Sequence, residues 1–218
     1  MRGPQFDRIA ETYLLDRLAP AGWEKAGKSL FVRRDVDGLD KLALDPSRGF
    51  EKFAVLISYE PADVSTFLET LQPDEPRDPA TGGFLCGPYL SLCQIGLRRH
   101  TWPSATPDRL LASLERVQTA FFEQGRPWLD RLRDPQALAA NVDSNAAAVA
   151  GYAWERAGDL AKAQAFYLEW LDRLRGGQDV LGARNPPTRH MHEYLFLAAR
   201  IGLSDELTAR YQAALGGT

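Results

Sequence analysis

Residues 50–59 read Phe-Glu-Lys-Phe-Ala-Val-Leu-Ile-Ser-Tyr. In an extended chain Phe53, Val55, Ile57 and Tyr59 share one face and Ala54, Leu56 and Ser58 the other, because successive side chains alternate across a strand. The run is rich in β-branched and aromatic residues and is bounded by the Pro46–Gly49 turn and by Pro61, so it predicts a strand. Upstream, Leu30 and Val32 alternate with Phe31 and Arg33, Asp37-Gly38 supplies turn chemistry, and β texture resumes from Leu39 to Leu44. That pattern predicts a hairpin beside the first strand. Earlier still, Phe6, Ile9, Ala10, Tyr13, Leu14 and Leu18 recur at helical spacing, predicting an amphipathic helix over 5–19 that Pro20 and Gly22 terminate.

Downstream of Tyr59 the texture is mixed. Val64, Phe67, Leu68 and Leu71 fit a helical stripe that Pro61 can open, which predicts a short helix over 61–71. Between 72 and 88, Pro73, Pro76, Pro79 and Pro88 with Gly82, Gly83 and Gly87 predict a long loop, the most mobile internal segment of the chain. Alternation returns from Tyr89 to Leu97 and predicts the strand that closes an antiparallel sheet of about four strands. Beyond Thr106 the chain reads as helical. Thr106-Pro107 and Asp134-Pro135 each place an N-cap before a proline at the first helical position, and Gly125 is the expected stop of the first of these helices.

Two resemblances follow from particular residues. Ala150, Gly151, Trp154, Gly158, Leu160, Ala163, Tyr167 and Trp170 are spaced as in one tetratricopeptide repeat, where small residues at Gly151 and Ala163 let two helices approach closely. A shift of 44 residues carries Gly158 onto Gly202, Tyr167 onto Tyr211 and Leu171 onto Leu215, a degenerate second hairpin. Earlier, Ala21-Gly22-Trp23-Glu24-Lys25-Ala26-Gly27 leads into Phe31-Val32-Arg33, and Gly125-Arg126-Pro127-Trp128-Leu129 follows a long helix. With its helix and β-meander, this front part resembles an uncharacterised bacterial family of domains of unknown function, which implies a fold and no reaction. The expected architecture is α+β: a sheet domain over 1–133, then tetratricopeptide-like helical hairpins over 134–218, packed with the first part as one unit.

Composition narrows the function. The 218 residues are 44% hydrophobic and 25% charged with a formal net charge of −3, an ordinary globular balance that gives no diffuse attraction to phosphate backbones. Charges interrupt every apolar run, so no membrane span is expected. Arg2, Asp7, Arg8, Glu11, Asp16 and Arg17 fall where a secretory signal would need apolar residues, which points to a cytoplasmic protein. Nucleic acid and membrane are therefore not expected as partners, and a protein partner is.

Several motifs invite chemistry. Gly22-Trp23-Glu24-Lys25-Ala26-Gly27-Lys28-Ser29 matches the G-x-x-x-x-G-K-[ST] phosphate loop, which works only when a strand enters it and a helix leaves it. Here a helix precedes Gly22 and β-formers follow Ser29, so a plain turn is expected. His190 and His192, beside Glu193, lie two apart and cannot chelate one ion from a helix. Cys86 would need a base such as His100 to act as a nucleophile, and Cys93 sits in an alternating strand as a small core residue. No catalytic set, metal site or cofactor is expected. The remaining cationic and aromatic cluster, Arg98, Arg99, His100 and Trp102, is the expected partner-binding patch, since guanidinium and indole groups dominate interface hot spots. Together these point to a non-enzymatic protein-interaction module, an immunity or accessory protein of a bacterial toxin or secretion system. The alternative is a small-ligand-binding protein or hydrolase with a pocket between sheet and helices.

Overall fold

The computed structural model describes residues 3–71, 89–91, 101–142, 147–175, 196–197 and 199–202. They form an α+β fold. Helix α1 (Gly3–Leu18) leads into strands β1 (Trp23–Gly27), β2 (Leu30–Arg34), β3 (Gly38–Pro46) and β4 (Lys52–Pro61), helix α2 (Ala62–Leu71), and strands β5 (Tyr89–Ser91) and β6 (Trp102–Pro103). Helices α3 (Pro107–Ala120), α4 (Arg126–Arg131), α5 (Pro135–Asn141), α6 (Ala147–Arg156) and α7 (Leu160–Arg175) follow. The sheet is antiparallel in the order β1-β2-β3-β4-β5, with β6 pairing β4 beyond the end of β5. Its central ladder sets Leu42 opposite Ile57 and Leu44 opposite Val55, so the alternation of 53–59 becomes one continuous buried face.

That face carries the main core. Phe31, Leu42, Leu44, Phe53, Val55, Ile57 and Tyr59 pack with Phe6, Ala10, Leu14 and Leu18 of α1 and with Leu110, Leu114, Val117 and Phe121. The helical stripe of α1 is thus spent on the sheet, as amphipathic spacing requires. Trp23, on the edge strand, sets its ring edgewise on Phe121 at 5.3 Å. A second core joins Val64, Phe67, Leu68 and Leu71 of α2 to Ala148, Val149, Ala163, Tyr167, Leu171 and Leu197. The two cores cross the sequence boundary at residue 133: Leu138 of α5 belongs to the first, α2 to the second, and Val142 packs against both.

Local signals explain most boundaries. Thr106 caps α3 by accepting the Arg109 amide at 3.3 Å, and Asp134 caps α5 by accepting that of Ala137 at 2.8 Å. The helix expected over 61–71 forms as α2, Ala62–Leu71, with Pro61 ending β4. Gly125 does not stop α3. It adopts a right-handed helical conformation, and the chain runs on through one π-helical turn, Phe121–Gly125, into α4. The turn keeps Phe121 and Gly125 buried. The phosphate-loop match is also resolved by geometry: Trp23–Gly27 is a strand, Lys28-Ser29 a turn, and β2 leaves it, so the helix that a phosphate loop must lead into is replaced by a strand. β1 was not expected from the sequence. Its turn is held by Ser29, whose φ is +52° and whose hydroxyl donates to Asp7 Oδ1 at 2.9 Å, tying the hairpin to α1. The expected mobile loop over 72–88, and Cys86, Cys93, His190, His192 and Glu193, lie outside the described residues.

Candidate functional site

α6 and α7 are joined through Ala157, Gly158 and Asp159. Gly158, at φ +80°, takes the left-handed conformation that ends a helix, and Asp159 Oδ1 accepts the Lys162 amide at 3.1 Å to start the next one. The two helices touch closely at Gly151, where a Cβ would lie 2.6 Å from the Tyr167 ring. Only glycine leaves room there. Ala163 and Tyr167 supply the opposing contacts from α7.

At the edge of this hairpin a polar and aromatic cluster forms. Glu155 of α6 receives Arg200 through Nε at 2.7 Å and Nη2 at 2.9 Å, and the Tyr167 hydroxyl at 2.8 Å. The Arg200 guanidinium also lies 5.2 Å from the Tyr152 ring centroid, 5.3 Å from that of Phe67 and 5.6 Å from that of Phe196. Phe67 and Tyr152 stack face to face at 4.3 Å with planes 9° apart. The Tyr152 hydroxyl donates to Asp63 of α2, whose carboxylate pairs with Arg156. Burial opposes ionisation of Glu155, but the hydrogen bonds from Arg200 and Tyr167 outweigh it and hold its pKa below the usual range. Burial and the neighbouring Glu155 push the Tyr167 hydroxyl upward.

Two other charged groups serve the fold. On the main-core face, Asp40 is wholly buried and receives Arg33 at 2.6 Å and Arg133 at 3.1 Å, while Arg133 also pairs with Asp35. On the opposite face Lys41 and Glu60, each 2% exposed, form an ion pair at 2.5 Å among Leu30, Val32, Leu39 and Ala43. Charges this deep are tolerated only when paired. Among the described residues no group of three or more His, Cys, Asp and Glu could hold a metal ion.

α3 turns Asp108, Arg109, Glu115 and Arg116 to solvent together with Leu111 and Ala112, and α7 exposes Lys162, Gln164 and Glu169 together with Leu160, Ala161, Ala165 and Leu168. Leu160 is 67% exposed.

Of the expected patch Arg98, Arg99, His100 and Trp102, only Trp102 lies among the described residues. Trp102 forms β6 opposite Phe53 and is buried in the main core, so it is a packing residue and not a contact for a partner. The physical reason is β-pairing: the short β6 turns the indole onto the sheet face beside α3. Arg98, Arg99 and His100 lie outside the described residues. Sequence reasoning missed Tyr152, Glu155 and Arg200. The i, i+3 spacing of Tyr152 and Glu155 marks a polar edge on α6, but their partner Arg200 stands 45 positions from Glu155. Comparison with family models, curated proteins and solved structures finds no match for this chain. Among the described residues no helix is long and apolar enough to cross a membrane.

Proposed function

We propose that this chain is a non-enzymatic protein-interaction module whose partner docks on the α6–α7 hairpin. The observation that carries the reading is the pair Leu160 and Leu168 on α7, 67% and 37% exposed, set among exposed Ala161, Lys162, Gln164, Ala165 and Glu169. Covering a leucine side chain contributes about 1.5–3 kcal/mol, so two of them supply a useful anchor. A specific interface needs about 800 Å² per partner, more than one helix face offers, so the partner also reaches the neighbouring α2–α6 edge. The paired acids support the reading, because the buried Asp40 and Glu60 and the partly exposed Glu155 are each matched to a cation in the manner of structural pairs. Within this reading, the finer role is that of an immunity or accessory protein of a bacterial toxin or secretion system, in keeping with the resemblance of the front part to bacterial domains of unknown function.

The test is affinity capture from native lysate with the intact chain and with Leu160→Asp/Leu168→Asp, each identified by mass spectrometry. A defined protein retained by the parent and lost with the double variant, at unchanged circular dichroism, supports the reading. Equal capture by both moves the interface off α7.

A further inference from the structure

The geometry points to a guanidinium-binding site at the solvent edge of the second core, built by Phe67 of α2, Tyr152 and Glu155 of α6 and Phe196, and filled in the isolated chain by the chain's own Arg200. Three features set this apart from an ordinary surface ion pair. Glu155 engages Arg200 through two nitrogens, at 2.7 and 2.9 Å, the fork geometry that a planar guanidinium satisfies and an ammonium does not. Aromatic rings from separate elements lie beside the cation, with centroids 5.2–5.6 Å away, inside the range of cation–π attraction. The site is also held in place by bonds that do not involve Arg200: Phe67 stacks on Tyr152, the Tyr152 hydroxyl is fixed by Asp63, and the Glu155 carboxylate is fixed by Tyr167. A pocket supported in this way keeps its shape when its occupant leaves.

The occupant can leave without unfolding anything. Leu197 is wholly buried, while the Arg200 side chain is 30% exposed, so rotation about its own bonds is enough to release it. The ligand is therefore an arginine side chain presented by a partner, which exchanges with Arg200. Intramolecular occupancy corresponds to an effective concentration of about millimolar or more, so a free arginine competes poorly and only a partner making further contacts displaces Arg200 efficiently. The use of the site by a partner rests on the interaction-module reading; the chemistry of the site does not.

The probe is Nα-acetyl-arginine methylamide, with the lysine analogue as control, titrated into Arg200→Ala by calorimetry. Saturable binding of the arginine probe is expected, at least tenfold tighter than the lysine analogue and at least tenfold weaker in Arg200→Ala/Glu155→Gln. In the parent chain, tens of millimolar arginine probe should shift the Arg200 Nε–H resonance, and Glu155→Gln should abolish that shift. If Arg200→Ala does not fold well enough to titrate, Arg200→Gln is used and its melting temperature is compared with each probe present; a rise with the arginine probe alone is the supporting result. No preference for arginine, binding that survives Glu155→Gln, or an unmoved Arg200 resonance in the parent each overturns the site. Arginine selectivity without capture of a partner refutes the module reading alone, and capture of a partner without arginine selectivity refutes the cage alone.

Discussion

Arg133 and Asp40 stand 93 positions apart, yet both Nη atoms of Arg133 point at the same buried carboxylate, at 3.4 and 3.1 Å. Arg33 approaches that carboxylate from the neighbouring strand at 2.6 Å. The pair joins the end of α4 to the sheet. Arg133 also lies over the Tyr59 ring at 4.9 Å, so one side chain bridges helix, turn and strand.

Arg133→Met should therefore destabilise the chain by about 2 kcal/mol, less than the ~3–5 kcal/mol for stripping a buried ion of its only partner, because Arg33 still neutralises Asp40. Urea unfolding checks this. An unchanged midpoint would mean that the helix-to-sheet bridge contributes nothing.

Lys41 and Glu60 give a sharper contrast. Lys41→Met removes a countercharge from a carboxylate that is 2% exposed and should cost about 2 kcal/mol or more, whereas Lys41→Met/Glu60→Leu replaces the pair with apolar volume and should recover most of that loss. Equal destabilisation by the single and double variants would show that the charges matter for more than each other's neutralisation.

The helical seam can be probed at two glycines. Gly151→Ala places a methyl 2.6 Å from the Tyr167 ring and should cost about 1–3 kcal/mol by overpacking. Gly158→Ala meets nothing within 4 Å, and its cost, about 1 kcal/mol, comes from the left-handed backbone at φ +80°. Ala163→Leu, on the same seam, should behave like Gly151→Ala. Thermal unfolding separates the cases: Gly151→Ala and Ala163→Leu should melt below Gly158→Ala, and the reverse order would contradict the close approach.

Tyr59 supplies a pH signature. Burial pushes its pKa up to about 12, and its hydroxyl donates to the Asp37 carbonyl at 2.9 Å. A folded-state pKa above the unfolded value of about 10 stabilises the fold fully below pH 10 and progressively less as pH rises from 10 to 12. Stability measured across that window should fall more steeply for the parent than for Tyr59→Phe. Parallel curves would place the alkaline loss on other groups.

Glu155 gives the opposite sign. Its pKa is held below the ordinary range, so its contribution is present above the unfolded value of about 4.3 and is lost as pH falls further. Glu155→Gln should flatten the acid limb of the stability curve, as followed by chemical denaturation from pH 6 to pH 3. An acid limb as steep as the parent's would assign that loss to other carboxylates.

What could be read from the residues alone were the features whose cause is local. Alternation over 53–59, the stripe of α1, the Asp37-Gly38 turn and the Thr106-Pro107 and Asp134-Pro135 caps each depend on neighbours within a few positions, and each appears as an element in its expected place. Tertiary structure decided the rest. Trp23–Gly27 lacks alternation of its own and becomes a strand because β2 offers it a ladder; Gly125 continues a helix because Phe121 and Trp128 are drawn into one core; and Trp102, a plausible contact residue by type, is buried because β6 pairs with β4. The guanidinium cage is the strongest case, since Phe67, Glu155 and Arg200 come from segments far apart in the chain and meet only when α2 leaves its sequence neighbours to pack in the second core. Periodicity reports which side of an element is buried; it does not report against what, because that depends on loop closure and on the packing of every other face at once.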